Sequence, residues 1–204
     1  MKIYGSPKSS AGRCFWTLEE CGVKYEVGKI DFRQREHKAP AFLKLNPNGK
    51  IPVLEDGDFK LWESMAINSY VAHLHSPELL GKDAKSKSLV NQWSFWALAE
   101  LQDPIIQVFI QLVFVPEEKR NFEFIEKQQA KLPGLFEVLN TSLENKNYLV
   151  GEEFTLADLN VFSVVEISEE IKFDYSKYSN IMNWEKNIST RQGYKKFKNL
   201  QVES

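Results

Sequence analysis

Two apolar runs, Pro52–Glu55 and Phe59–Trp62, flank Asp56-Gly57-Asp58. An Asp-Gly pair between strand-like runs is a strong short-range hairpin signal. What precedes this hairpin narrows the fold further. Lys2–Tyr4 reads as a short strand. Ser10–Gly22 reads as a helix, with Cys14, Phe15, Leu18 and Cys21 at helical spacing and Gly22 as its stop. Lys24–Ile30 alternates as a second strand, and a polar stretch, Asp31–Ala39, follows. After the hairpin, Ser64 opens a helix to about His75, which should bury Ala66, Ile67, Tyr70, Val71 and Leu74.

The order β-α-β-loop-β-β-α is that of a thioredoxin-like α/β domain, in which a hairpin is added to an initial β-α-β unit. The expected domain covers residues 1–80, and Pro77 with the polar Gly81–Lys87 reads as a linker. From Ser88 onward the pattern is apolar-periodic segments broken at Pro104, Pro116, Pro133 and Gly151, with no strand signal. Residues 86–204 are therefore expected to form an all-α C-terminal domain.

Apolar residues make up 43% of the chain, charged residues 26%, and the net charge is −2 with both signs mixed. That balance lacks the basic footprint needed for nucleic acid or an anionic membrane. The start has no apolar signal core, and the greasiest run, Ile105–Val115, contains Gln107 and Gln111, so no secretion signal or membrane span is expected. Cys14 and Cys21 lie about 10 Å apart on one helix, too far for a disulfide, which favours a cytoplasmic setting. Three histidines, His37, His73 and His75, with no Cys-x-x-Cys or His-Glu-x-x-His pattern, predict no metal.

Four stretches carry chemistry. In YGSPKSSAGRC, Ser9 and Ser10 sit where a helix begins; a serine there can cap the helix, or can aim its hydroxyl at an anion in the positive field of the helix end. In NGKIPVLEDG, Pro52 at the start of a strand cannot donate to a ladder, so it belongs on an edge or in a cis bond that would leave the Ile51 backbone to an extended ligand. In WESMAI, Ser64 reads as an N-cap, and Glu63 beside it makes a pair suited to a zwitterion. In EEFTLADL, Thr155 and Asp158 form a capping box with Phe154 and Leu159 as its staple, which makes Asp158 a folding element rather than a catalytic acid.

These stretches, in this order, resemble the cytosolic glutathione transferase family. YGSPKSS, EHKAPAFLKLNPNGKIPVLEDGDFKLWESMAI and YLVGEEFTLADL each look like its signatures, and the N-terminal part is most similar to the serine-using phi and theta groups. The resemblance implies glutathione as co-substrate and a serine hydroxyl donating to its sulfur. That role maps onto Ser9, with Ser10 as the alternative because another group carries a catalytic cysteine one residue later. It further implies Glu63 and Ser64 at the γ-glutamyl end, Ile51 and a cis Pro52 along the cysteinyl backbone, and His37, Lys38 and Lys50 near the glycyl carboxylate. The expected reaction joins glutathione to a hydrophobic electrophile, with helical-domain aromatics such as Trp93, Trp96 and Phe109 lining part of the acceptor pocket. A homodimer is expected; a noncatalytic interaction module and a glutathione-dependent peroxidase are the alternatives. Cys14, sharing an apolar face with Leu18 and Cys21, is expected in the core.

Overall fold

A computed structural model describes residues 1–200. It forms two compact units, Met1–Leu80 together with the chain from Ser189, and Gly81–Ile188. The segment after Ser189 thus groups with the first unit, where the sequence pattern had assigned it to 86–204; residues 201–204 of that range lie outside the described residues. Pairing between segments so distant in sequence leaves no local signal.

The first unit contains β1 (Lys2–Tyr4), α1 (Gly12–Glu20), β2 (Glu26–Gly28), a 3₁₀ turn (Glu36–Lys38), α2 (Pro40–Leu43), β3 (Val53–Asp56), β4 (Phe59–Trp62) and α3 (Ser64–His75). The sheet order is β2-β1-β3-β4. β1 runs parallel to β2 and antiparallel to β3, and β3 pairs antiparallel with β4. Ile3 lies opposite Leu54, and both face Ala11, Cys14, Phe15 and Leu18 of the α1 segment and Ile67 and Val71 of α3. Each such buried side chain stabilises the unit by roughly 1.5–3 kcal/mol. Asp56 pairs with Phe59, so the hairpin loop is the two residues Gly57-Asp58. Gly57 has φ of 59°, a backbone region that residues with a Cβ rarely adopt.

Three local expectations shift. In α3, Ala66 and Leu74 are exposed and Tyr70 is half-buried, because the inward face runs through Met65, Asn68 and Ala72 beside Ile67 and Val71. The residue capping α3 is Glu63 rather than Ser64, since Glu63 holds the non-helical φ of 74° and Ser64 is already the first helical residue. Helix α1 begins at Gly12 rather than Ser10, because Ser9 and Ser10 form a tight turn leading into it.

The second unit is helical among the described residues: α4 (Ala84–Trp96), a π-turn (Ala97–Leu101), α5 (Gln102–Val113), α6 (Phe122–Gln129), α7 (Leu132–Ser142), α8 (Leu156–Val165), α9 (Ile167–Glu170) and α10 (Ser179–Ser189). Half of the expected linker belongs to α4, which Asp83 and Ser86 open with a reciprocal capping box. The core holds Phe136, Phe162 and Trp184, with Phe162 and Trp184 edge to face at 5.4 Å. Beyond α10 lies α11 (Gln192–Lys198), part of the first unit.

Candidate functional site

The N-terminal ends of α1 and α3 are tied together: the Cys14 thiol donates to the Ser64 carbonyl at 3.4 Å. Cys14 is fully buried, and burial pushes its thiol up to about 12 despite the nearby Arg13 charge, so it stays protonated and inert at neutral pH.

The two serines before α1 have different surroundings. The Ser9 hydroxyl donates to the Ser6 carbonyl at 2.8 Å and accepts from the Ala11 N–H at 3.1 Å. Its only proton is committed inside its own turn. Ser10 is exposed, and its hydroxyl reaches the Ile51 carbonyl 41 residues away at 3.4 Å, long for an O–H···O bond. The Ile51–Pro52 peptide bond is cis. Ser10 and the Ile51 backbone therefore stand side by side, at the end of the sheet where β3 starts.

Lys38, Lys50 and His37 come together at one loop. Buried Asn46 donates from Nδ2 to the Lys50 carbonyl at 2.7 Å, and its Oδ1 accepts from the Asn48 N–H and side-chain amide. Lys38 Nζ donates to the Asn48 carbonyl at 3.1 Å. Between them Gly49 has φ of 57°, and a Cβ there would sit 2.7 Å from the His37 carbonyl and 2.9 Å from Lys38 Nζ. A glycine is thus required for the two segments to meet, bringing the Lys38 ammonium and the backbones of His37 and Lys50 to one loop. The His37 ring lies 4.8 Å from that of Phe32. Asn46 and Gly49 were missed as site-forming residues; a buried side-chain clamp has no spacing signature, while Asn-Pro-Asn-Gly offered only a turn signal.

Glu63 is exposed and precedes α3 with φ of 74° and ψ of 113°, a strained conformation for a residue with a side chain. Such strain concentrates where a ligand is held. Ser64 beside it is buried. The structure thus brings Ser10 to Ile51 and gathers His37, Lys38 and Lys50, with Glu63 and Ser64 at the head of α3. Asp158 stands apart in the second unit, fully buried, accepting from the Leu149 N–H at 2.8 Å, the Thr155 N–H at 2.9 Å, the Thr155 hydroxyl at 3.1 Å and the Trp184 indole at 2.9 Å.

Among the described residues no helix is long and apolar enough to cross a membrane, and no group of three His, Cys, Asp or Glu could hold a metal ion.

Residues 1–73 match the family model for the glutathione S-transferase N-terminal domain, and residues 101–192 match that for the C-terminal domain. Glutathione S-transferase 4 of Zea mays is 36% identical over 169 residues, covering 81% of this chain and 76% of its own length. Glutathione S-transferase F12 of Arabidopsis thaliana is 32% identical, covering 96% of each chain. Among solved structures, glutathione S-transferase-I bound with lactoylglutathione superposes with a TM-score of 0.86 at 30% identity, over 96% of this chain and 97% of that one. The theta-class enzyme of Xanthomonas axonopodis pv. citri, with glutathione bound, gives 0.89 at 26% identity, over 99% and 98%. With both halves matched by family models and relatives above 30% identity spanning most of its length, the chain belongs to the glutathione S-transferase family of enzymes.

Proposed function

We propose that the protein conjugates the thiolate of glutathione to hydrophobic electrophiles, in a detoxifying role in the cytoplasm, and that Ser10 rather than Ser9 supplies the hydroxyl that donates to sulfur. The observation that carries the choice is the contrast between the two hydroxyls. Ser9 has its one proton committed within its turn, whereas the Ser10 proton makes only a 3.4 Å contact and can swing to a ligand at little cost. Glutathione laid along Ile51 would present its cysteinyl sulfur beside that hydroxyl. A free thiol with a pKa of about 8.5 is mostly protonated at neutral pH. A donor in the positive field at the start of α1 favours the thiolate, and a shift of one to two units is worth about 1.4–2.8 kcal/mol.

The tripeptide's charges fit the flanking groups. The exposed Glu63 carboxylate suits the ammonium of the γ-glutamyl head, and Ser64 with the free N–H groups of α3 suits its carboxylate. Lys38 and Lys50 supply positive charge for the glycyl carboxylate, with the His37 imidazole beside them; Lys38 Nζ, with one bond to Asn48, keeps further donors for it. Two free cysteines suit a reducing compartment. On the second unit, Phe95 and Phe114 are 67% and 71% exposed, apolar surface available to an electrophile or to a second copy in a homodimer.

The decisive measurement is ultraviolet difference titration of bound glutathione in wild type, Ser9→Ala and Ser10→Ala. The expected outcome is a thiol pKa lowered in wild type and in Ser9→Ala, and returned by at least one unit towards its free value in Ser10→Ala. If Ser9→Ala alone loses the shift, sulfur is held by Ser9. If wild type shows no shift, the hydroxyl has no role in ionisation.

A further inference from the structure

Helix α1 is buried from Gly12 to Leu18 without interruption. A helix packed on a sheet through one apolar stripe buries only that stripe, so something covers the outer face. That cover is α11. Trp16, fully buried, points away from the stripe formed by Cys14, Phe15 and Leu18 and lies against Tyr194, centroids 5.0 Å apart, and Phe197, 6.2 Å apart and nearly parallel at 11°. At the far end of α1 the Arg191 guanidinium pairs with Glu20, with Nε donating to Oε1 at 2.8 Å and Nη2 on the same oxygen. The Glu20 side chain is only 7% exposed there. A Cβ on Gly193 would sit 2.6 Å from the Glu20 Cα, so glycine permits the close approach. At the near end, a Cβ on Gly12 would stand 2.4 Å from the Pro7 carbonyl oxygen and 3.5 Å from the tip of the Phe197 ring, so glycine also permits a close approach here. The α11 segment thus holds α1 at Glu20, at Trp16 and at Gly12, two residues from Ser10.

We infer that α11 is a strap that sets where the serine turn stands relative to Ile51, with Phe197 as its positioning residue. The inference rests on the proposed role of the serine turn in ionising glutathione. Phe197 touches no reacting atom. Its ring tip lies beside Gly12, within van der Waals range of the point a Cβ would occupy, and the Pro7–Gly12 turn carries both serines. A displacement of α1 would carry the serine turn with it and change the 3.4 Å separation between the Ser10 hydroxyl and the Ile51 carbonyl. Misplacement by about 1 Å can cost about 10²-fold in rate.

The test uses the full chain with Phe197→Ala, its conservative partner Phe197→Leu, and Arg191→Gln, which loosens the strap while keeping its aromatic packing. Thr155→Ala, in the second unit, supplies a variant destabilised by loss of a cap. Thiol pKa of bound glutathione, kcat and KM for conjugation, and Tm are read for each. The expected result for Phe197→Ala is a kcat lowered about 10-fold, a KM for glutathione within about 2-fold of wild type and a thiol pKa moved towards its free value. Phe197→Leu should restore most of both, Arg191→Gln should show a smaller change of the same sign, and Thr155→Ala should lower Tm alone. Phe197→Ala and Arg191→Gln that lower Tm with kcat and thiol pKa unchanged would reduce α11 to a cover and overturn the inference. Should Phe197→Ala fail to fold, Arg191→Gln decides between the same outcomes. Failure of the serine reading appears separately, as an unshifted thiol in wild type, and the strap then stands or falls on the kcat-against-KM split.

Discussion

The entrances to α1 and α8 look alike in sequence, each with small hydroxyl residues ahead of an apolar helix, yet their polar atoms are spent differently. At α8, Thr155 and Asp158 are buried and every oxygen of the Asp158 carboxylate has donors, four in all from Leu149, Thr155 and Trp184. At α1, Ser9 closes its own turn while Ser10 keeps a proton in a long contact at the surface. A saturated polar cluster specifies the fold, because breaking any member orphans the rest. An exposed hydroxyl in the field of a helix end has a proton it can give to a ligand, the role proposed for Ser10.

The largest effect should come from breaking the saturated entrance. Asp158→Ala leaves buried donors of Leu149, Thr155 and Trp184 without acceptors, at about 1–3 kcal/mol for each one stranded. A total loss of about 3–5 kcal/mol is expected, read as a fall in the denaturation midpoint, while activity per folded molecule stays near wild type. A large drop in turnover at unchanged Tm would make Asp158 a catalytic group and dissolve the contrast.

Next comes Ser10→Ala, which should cost about 1.4–2.8 kcal/mol of transition-state stabilisation, or about 10- to 100-fold in kcat/KM at neutral pH. The loss should shrink as pH rises past the pKa of the free thiol, since hydroxide then supplies the thiolate that the serine no longer favours. Ser9→Ala is the complementary probe. Losing a cap-like acceptor for Ala11 should cost about 0.5–2 kcal/mol of stability, with a smaller effect on rate, so the two substitutions should separate stability from turnover.

The legible parts of the molecule were those with local signatures. The hairpin announced itself through Asp-Gly, although Asp56, read with the turn, ends β3 instead; the α8 entrance did so through its capping spacing, and Cys14 through its place on an apolar stripe. Illegible were contacts that chain topology alone creates. The Ser10 to Ile51 contact spans 41 residues, the Cys14 to Ser64 bond spans 50, and the Arg191 to Glu20 pair spans 171. Local pattern nominates both serines and does not tell their surroundings apart, because which hydroxyl finds an acceptor in its own turn depends on the folded backbone. The shift of the α3 cap to Glu63 is of the same kind: Ser64 has the better cap chemistry, but the backbone coming off β4 takes its left-handed φ one residue earlier.

The smallest expected effect sharpens the contrast from an intermediate case. Glu185 is half-buried, and the Tyr175 hydroxyl, 3.3 Å from it and 3.4 Å from Glu169, has one proton for two carboxylates. Burial raises the Glu185 pKa above its ordinary 4.5, the Tyr175 hydrogen bond pulls it back, and the charges of Glu169 and Glu166 raise it further. Where Asp158 has four donors, Glu185 shares one. A carboxyl whose folded pKa is raised is favoured in its protonated form, so its contribution to stability is fully present below 4.5 and is lost as pH climbs through the folded value. At pH 7 the ionised group is therefore a burden. Glu185→Gln keeps an acceptor for Tyr175 and removes the charge, so its Tm at pH 7 should exceed that of wild type by less than the about 2–4 °C that 1 kcal/mol produces in a chain of this size. The gain should vanish below 4.5, where both side chains are neutral. A gain that persists in acid would trace to packing instead, and a loss at pH 7 would mean that the one shared proton satisfies Glu185 as fully as four donors satisfy Asp158.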